Sequence, residues 1–225
     1  MSWDRWVRGR EVEPSLYGAN FALLGAQVEM LLATGCRIFH FDVGDGHFVE
    51  PITIGPIVLK DVAPIVHARG GAMDVHLMVE NPAKYFPPVK AAGGDSVTFH
   101  FEAVDDVPAT IEAARAQGLQ AGVAFNPETD PEDVAAVSQE ADIVLCMSIH
   151  PGYSGTPFQE AAYGRIARLA ALLPDRVHVQ VDGGVGTSNI ERLRESGATL
   201  FVAASSIFGR DDPAAAYGEL ERLVR

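Results

Sequence analysis

The sequence is short of the features that would stabilise a small secreted domain or anchor a chain in lipid. Only two of its 225 residues are cysteine, Cys36 and Cys146. They lack CxxC spacing and sit in apolar runs, so buried free thiols are expected. No apolar run approaches the roughly 20 residues that a membrane-spanning helix needs. The opening stretch MSWDRWVRGREVEP is charged and lacks the apolar centre of a signal peptide. These absences predict a cytoplasmic protein with no membrane partner. Basic residues are also scarce: 17 Lys and Arg against 30 Asp and Glu give a formal net charge of −13. That balance argues against nucleic acid and anionic lipid, which are gripped through basic surfaces. A small phosphorylated ligand stays open, because one local site can be electropositive on an acidic protein. No Ser/Pro-rich linker divides the chain, so one domain over residues 1–225 is expected.

What the sequence does have is alternation. Short β-branched runs alternate with longer Ala/Leu/Arg-rich amphipathic runs, the pattern of βα units and a parallel sheet. Strands are predicted at Val12–Leu16, Arg37–Val43, Ala72–Met78, Ser96–Phe101, Gln120–Phe125, Ile143–Ser148, His178–Asp182 and Thr199–Ala203. Helices are predicted at Phe21–Thr34, Pro56–Val66, Asn81–Ala92, Val107–Gln117, Pro131–Val137, Phe158–Leu173, Ser188–Ser196 and Pro213–Val224. Eight such pairs make an α/β chain of the (β/α)₈ TIM-barrel type, with a core from about residue 12 to 224. A doubly wound open sheet would want a Gly-rich fingerprint after its first strand, and Pro14-Ser15-Leu16-Tyr17-Gly18 is not one.

In a barrel, function collects where strands end. His40 and Asp42 end the second strand, with Asp45 and His47 in the loop beyond. Asp74 and His76 end the third, His100 and Glu102 the fourth, and Asp182 the seventh. Residues two apart on a strand share a face, so His40 pairs with Asp42 and Asp74 with His76. Charged groups on an interior face are costly unless paired or bound to metal. Imidazole and carboxylate together suit zinc or another divalent transition metal. Gly183-Gly184 follows the seventh strand, and Ala204-Ser205-Ser206 follows the eighth. In such barrels these two loops and a short helix start commonly form a phosphate site. His100 could support a ligand from behind. His67 reads as a solvated surface residue and His178 as structural. Trp3 and Trp6 could plug the barrel bottom or meet a neighbouring subunit.

These residues carry a resemblance. PSLYGANF, IFHFDVGDGHFVEPITIGP, DVHLMVENP, FHFEA, AGVAFNPET, VLCMSIHPGYSGTPF, VDGGVGTSNI and FVAASSIF follow one another in the order found in ribulose-phosphate 3-epimerases. The chain resembles that family from Pro14 to about Gly209. The resemblance implies a metal-dependent isomerase with His40, Asp42, His76 and Asp182 as ligands of one divalent ion, zinc first, with iron, manganese or cobalt as alternatives. It implies Asp42 and Asp182 as the acid/base pair. It places Ser15, His76, Met78, Met147 and Asp182 against substrate, and Gly152, Tyr153, Ser154, Gly155, Gly183, Gly184, Ser205 and Ser206 on the phosphate loops. It also implies a homo-oligomer, dimer or hexamer, and a phosphorylated ketose as the small-molecule partner. D-ribulose 5-phosphate is the first expectation and a longer ketose phosphate such as D-allulose 6-phosphate the alternative. A lyase or decarboxylase of the same barrel superfamily would typically place Lys with Asp on the working strands.

The chain also departs from the family. Gly18-Ala19-Asn20 stands for Ser-Ala-Asp, Gly44 for Met, His150 for Asn, Tyr153-Ser154 for Phe-Gly and Ala204 for Gly. None removes a ligand or an acid/base group, and all lie where substrate would be gripped. At Gly44 the expectation is a thinner shield over the reacting atoms, or a shield supplied by another side chain.

Overall fold

The computed structural model describes residues 3, 7, 9–153 and 157–225. Eight strands alternate with helices: β1 (Glu11–Pro14), β2 (Ile38–Gly44), β3 (Ala72–Met78), β4 (Ser96–His100), β5 (Gln120–Phe125), β6 (Ile143–Met147), β7 (His178–Asp182) and β8 (Leu200–Ala203). The helices are α1 (Leu24–Ala33), α2 (Pro56–His67), α3 (Phe86–Ala91), α4 (Val107–Ala116), α5 (Pro131–Val137), α6 (Ala161–Leu172), α7 (Ile190–Glu195), α8 (Ser205–Phe208) and α9 (Pro213–Val224). The sheet runs β1-β8-β7-β6-β5-β4-β3-β2, with every pair parallel. A parallel bridge between Ser15 and His40 joins β1 to β2 and brings the ring to closure. This is the (β/α)₈ barrel that the alternating pattern predicts.

Local chemistry sets most boundaries. Asp106, Asp130 and Asp212 each accept a backbone N–H from the first turn of α4, α5 and α9, and each of these helices has proline at its first or second position. The predicted Asn81–Ala92 helix divides into a 3₁₀ turn, Pro82–Tyr85, and the short α3. Pro87 and Pro88 lie where a continuous helix would need two backbone donors. The first strand ends at Pro14 rather than Leu16, because Leu16–Gly18 turns as a 3₁₀ helix. Phe21–Leu23 is likewise 3₁₀, capped by the Asn20 side chain, before α1 begins. Phe158 precedes α6, which starts at Ala161.

Strand periodicity sorts side chains into two cores. Outward residues such as Phe39, Phe41, Val75, Leu77, Phe99 and Val123 are fully buried under the helices, against Leu59, Val66 and Ile166. Inside the barrel, Ile38, Ala72, Ile143 and Leu200 form a bottom layer closed by Trp3 and Val7. Trp3, only 3% exposed, is the plug, and its ring meets His178 edge-on at 6.5 Å. Trp6 lies outside the described residues. Cys36 and Cys146 are buried free thiols. His67 is partly exposed and pairs with Asp95 at 2.8 Å. Above the bottom layer the interior turns polar toward the strand ends. Among the described residues, no helix is long and apolar enough to cross a membrane.

The turn from α2 into β3 shows how tight the packing is. A methyl at Gly71 would lie 2.6 Å from the Arg37 carbonyl oxygen and 2.8 Å from Val66 Cγ1. Gly71→Ala is therefore expected to destabilise the fold by about 1–3 kcal/mol, the usual cost of overpacking. A urea unfolding midpoint unchanged from the parent would contradict this packing.

Candidate metal centre and active-site cleft

Four ionisable side chains converge at the top of the barrel interior. His40 and Asp42 rise from β2, His76 from β3 and Asp182 from β7, one ligand atom from each lying within 4.8 Å of all the others. His40 and His76 are fully buried, and Asp42 is 4% exposed. His40 Nε2 lies 3.3 Å from Asp42 Oδ1, and His76 Nδ1 lies 3.0 Å from the same oxygen. Ser15 Oγ donates to the other Asp42 oxygen at 2.6 Å. His40 Nε2 is buried and makes no hydrogen bond. A buried ring nitrogen left without a partner and facing carboxylates is the signature of a ligand atom. The two imidazoles and two carboxylates fit a divalent transition ion, the donor set of many zinc sites.

The surroundings hold each ligand. His40 Nδ1 meets Asp74 Oδ2 at 2.9 Å. Asp74 also accepts from Ser96 Oγ at 2.6 Å and Gln180 Nε2 at 2.9 Å. His76 Nε2 contacts His100 Nε2 at 2.9 Å, and His100 Nδ1 contacts Glu102 at 3.3 Å. Glu102 in turn accepts the Asn126 backbone N–H and the Thr129 hydroxyl. His100 thus stands behind a ligand, as its sequence position suggested. Asp45, without an assigned role in the sequence, accepts the backbone N–H groups of His47, Phe48 and Glu80. It ties the loop after β2 to the loop after β3, and His47 points outward, exposed.

Electrostatics separates the two carboxyls. Burial pushes Asp42 up, but His40 and His76, by charge and hydrogen bonds, outweigh it and hold Asp42 well below the ordinary carboxylate range. Burial and the nearby Asp42 charge push Asp182 up to about 7. Burial opposes charge on His40 also, yet Asp42, Asp74 and Glu13 together raise it well above 6.5. His100 is lowered to about 4, because burial outweighs Glu102.

Beside these groups opens a cleft lined by Ser15, Tyr17, Asp42, Met78, Met147 and Asp182. Gly152, Tyr153, Gly183, Gly184 and Ser205 line it as well. Most residues expected to contact substrate therefore share one mouth. Ser206 does not line it, because its hydroxyl donates to the Val185 carbonyl at 2.7 Å. Ser154 and Gly155 lie outside the described residues. Tyr17, Ile149, Pro151, Val185 and Val202 also line it without having been singled out from sequence, and Ala204 joins them. Gly183 has φ +112°, and a side chain there would meet Ile149 Cγ1 at 2.5 Å, so only glycine allows the turn.

The departures have local explanations. A side chain at Gly44 would meet the Pro51 carbonyl oxygen and Val49 Cγ2, each at 2.9 Å. The loop after β2 therefore fills the space where the family has Met, and Val49 also packs on Gly152. Gly18 and Ala204 are complementary: a methyl at Gly18 would sit 3.1 Å from the Ala204 Cβ, so one small residue makes room for the other. The Tyr153 hydroxyl donates to the Glu50 carboxylate across the rim. His150 pairs with Glu128 at 3.0 Å on the surface.

Comparison with known proteins follows the same lines. Residues 11–208 match the Ribulose-phosphate 3 epimerase family. The ribulose-phosphate 3-epimerase of Bacillus subtilis is 35% identical over 214 residues, covering 93% of this chain and 97% of its own. Ribulose-phosphate 3-epimerase 2 of Cupriavidus necator is 38% identical over 224 residues, covering 96% and 92%. Among solved structures, 3-hexulose-6-phosphate synthase from Salmonella typhimurium superposes with a TM-score of 0.72 at 16% identity, over 95% of this chain and 98% of that one. That last likeness shows the barrel fold alone.

Because its carboxylate neighbours raise the proton affinity of His40, a cation that binds its ring nitrogen must displace that proton. Uptake is expected to release a proton and to strengthen as pH rises. Calorimetric titration in buffers of different ionisation enthalpy measures this. A heat of binding that does not depend on the buffer, with an affinity flat in pH, would contradict the assignment.

Proposed function

The chain belongs to the ribulose-phosphate 3-epimerase family and is an isomerase, and on that premise we propose that it interconverts D-ribulose 5-phosphate and D-xylulose 5-phosphate. The observation that carries the reading is the pair Asp42 and Asp182, two carboxyls of one cluster with opposite preferences for a proton. A proton on the carbon beside a ketone is weakly acidic. Inverting that carbon requires removal from one face and delivery to the other, so two acid/base groups are needed. Carboxyls whose surroundings push their proton affinities apart suit that division.

In this reading Asp42 is the base. The Ser15 hydroxyl and the two histidines keep it ionised and fix its orientation. Asp182 carries the proton that is delivered to the opposite face, and the roles exchange in the reverse direction. A divalent cation held by His40, Asp42, His76 and Asp182, zinc first and iron, manganese or cobalt as alternatives, would supply positive charge against the charge that develops on the substrate C2 and C3 oxygens. Met78 and Met147 provide apolar walls that keep water from the carbanionic carbon. The phosphate would rest against the turns at Gly183, Gly184 and Ser205, with Gly152, Tyr153, Ser154 and Gly155 from the loop after β6. The exposed Phe21, Leu23 and Ile57 support the expectation of a homo-oligomer.

D-allulose 6-phosphate is the second reading, kept by one observation: Tyr153 and Glu50 meet at the rim where a longer substrate would emerge. A lyase or decarboxylase fits less well, because Lys60, Lys84 and Lys90 all lie off the strands.

Asp42→Asn and Asp182→Asn are each expected to lower turnover by about 10²–10⁴-fold or more, the usual share of acid–base catalysis. Near-parental rates in either purified variant would sink the two-base assignment. A coupled assay of D-xylulose 5-phosphate formation is expected to lose activity to a chelator and regain it with a divalent ion. Faster turnover of the six-carbon ketose phosphate would move the substrate to the second reading.

A further inference from the structure

Beneath the metal centre lies a second buried polar layer that the proposed reaction does not use. Glu13 sits two residues before Ser15, Asp74 two before His76 and Gln180 two before Asp182, so all three face the barrel axis one layer down. Glu13, Asp74 and Gln180 are fully buried. Gln180 spans the interior from β7: its amide nitrogen donates to Glu13 Oε2 at 2.7 Å on β1 and to Asp74 Oδ2 at 2.9 Å on β3. Ser96 holds the other Asp74 oxygen at 2.6 Å.

Two carboxyls therefore compete for one imidazole nitrogen. Asp74 Oδ2 is 2.9 Å from His40 Nδ1, and Glu13 Oε2 is 3.8 Å from it. The Gln180 amide sits on both oxygens and keeps Glu13 back. With Asp74 accepting at Nδ1, that nitrogen carries hydrogen, and Nε2 is the nitrogen left to face a cation. Glu13, His40 and Asp74 also offer atoms close enough together to suggest a second cation site. The donors argue otherwise. Amide, hydroxyl and imidazole hydrogens already point at these carboxyl oxygens, and they would oppose a positive ion there.

We propose that Gln180 and Glu13 are positioning residues for the cation: bridged by the Gln180 amide, they hold Asp74 on His40 Nδ1 and so keep His40 Nε2 presented as a ligand atom. This rests on the reading that His40, Asp42, His76 and Asp182 hold a divalent ion. Outer hydrogen-bond partners of metal-bound histidines commonly set affinity by about 10–100-fold. Gln180 is singled out because a methionine would keep its volume while removing both donors.

Cobalt(II) affinity of the metal-stripped full chain, measured by chelator competition, provides the test. Gln180→Met is expected to weaken binding by about 10–100-fold. Glu13→Leu is expected to weaken it also, whereas Glu13→Gln keeps an oxygen that accepts from Gln180 and should stay within about threefold of the parent on the same reasoning. Ser96→Ala, a smaller change that loosens Asp74, is expected to weaken binding severalfold and serves if Gln180→Met does not fold. In the zinc-loaded protein, the His40 Nδ1–H resonance should be sharp in the parent and in Glu13→Gln, and broadened or lost in Gln180→Met and Ser96→Ala. Variants that melt earlier but bind cobalt(II) as tightly as the parent would overturn the inference, as would Glu13→Gln losing as much affinity as Glu13→Leu. A parent chain that takes up no cobalt(II) would instead sink the ion reading beneath it.

Discussion

The whole arrangement depends on keeping acids and imidazoles out of water together. An isolated carboxylate or imidazolium in a barrel interior is costly, and desolvation alone would discharge most of them. Here Asp42, His40 and Asp74 remain polar because each is hydrogen-bonded to another. Strand geometry makes that possible. Alternate residues of β2 and β3 point inward, and the register that sets Asp42 opposite His76 and His40 opposite Asp74 brings acid beside base twice over. A one-residue slip of that pairing would turn the phenylalanines of β2 inward and expose nothing that could hold an ion.

The mouth answers to a different constraint. Under the proposed function its loops would accept a phosphate on a chain with a formal net charge of −13. Among the described residues no lysine or arginine lines the cleft, so small residues that let backbone dipoles approach an anion would take that part. Close packing carries the same logic outward. Gly183 turns where no side chain fits, Val49 fills the space above Gly44, and Gly18 yields to Ala204. Two of the departures from the family, Gly18 and Ala204, thus make room for each other, while the four groups of the metal centre are unaltered.

Much of this was legible before any coordinates. The eight βα units followed from alternation of apolar runs, and β3, β5 and β7 lie on the predicted residues. The ligand candidates followed from period-two spacing at strand ends. What escaped was the layer below. Glu13 lies within the predicted first strand but was given no role, and Gln180 is neutral and unremarkable in sequence. The same two-residue step back from Ser15 and from Asp182 reaches both, so the signal was present but weak. Helix α3 was overextended because the amphipathic pattern of Asn81–Ala92 was followed through Pro87 and Pro88, which lie where a continuing helix needs donors. The Gly18–Ala204 fit could not be read at all, since it joins residues 186 positions apart through space.

The barrel is not equally strong around its circumference. Seven neighbouring pairs are joined by ladders, whereas β1 and β2 share only the Ser15–His40 bridge. That seam runs beside the candidate metal centre, with the Ser15–Asp42 hydrogen bond as its side-chain stitch. Local opening concentrates where backbone pairing is thinnest. A ligand bound on the β2 side of such a gap stabilises the closed ring by mass action. An ion held by His40 and Asp42 would therefore steady the same seam that Ser15 fastens, so that filling the centre would also stiffen the hoop.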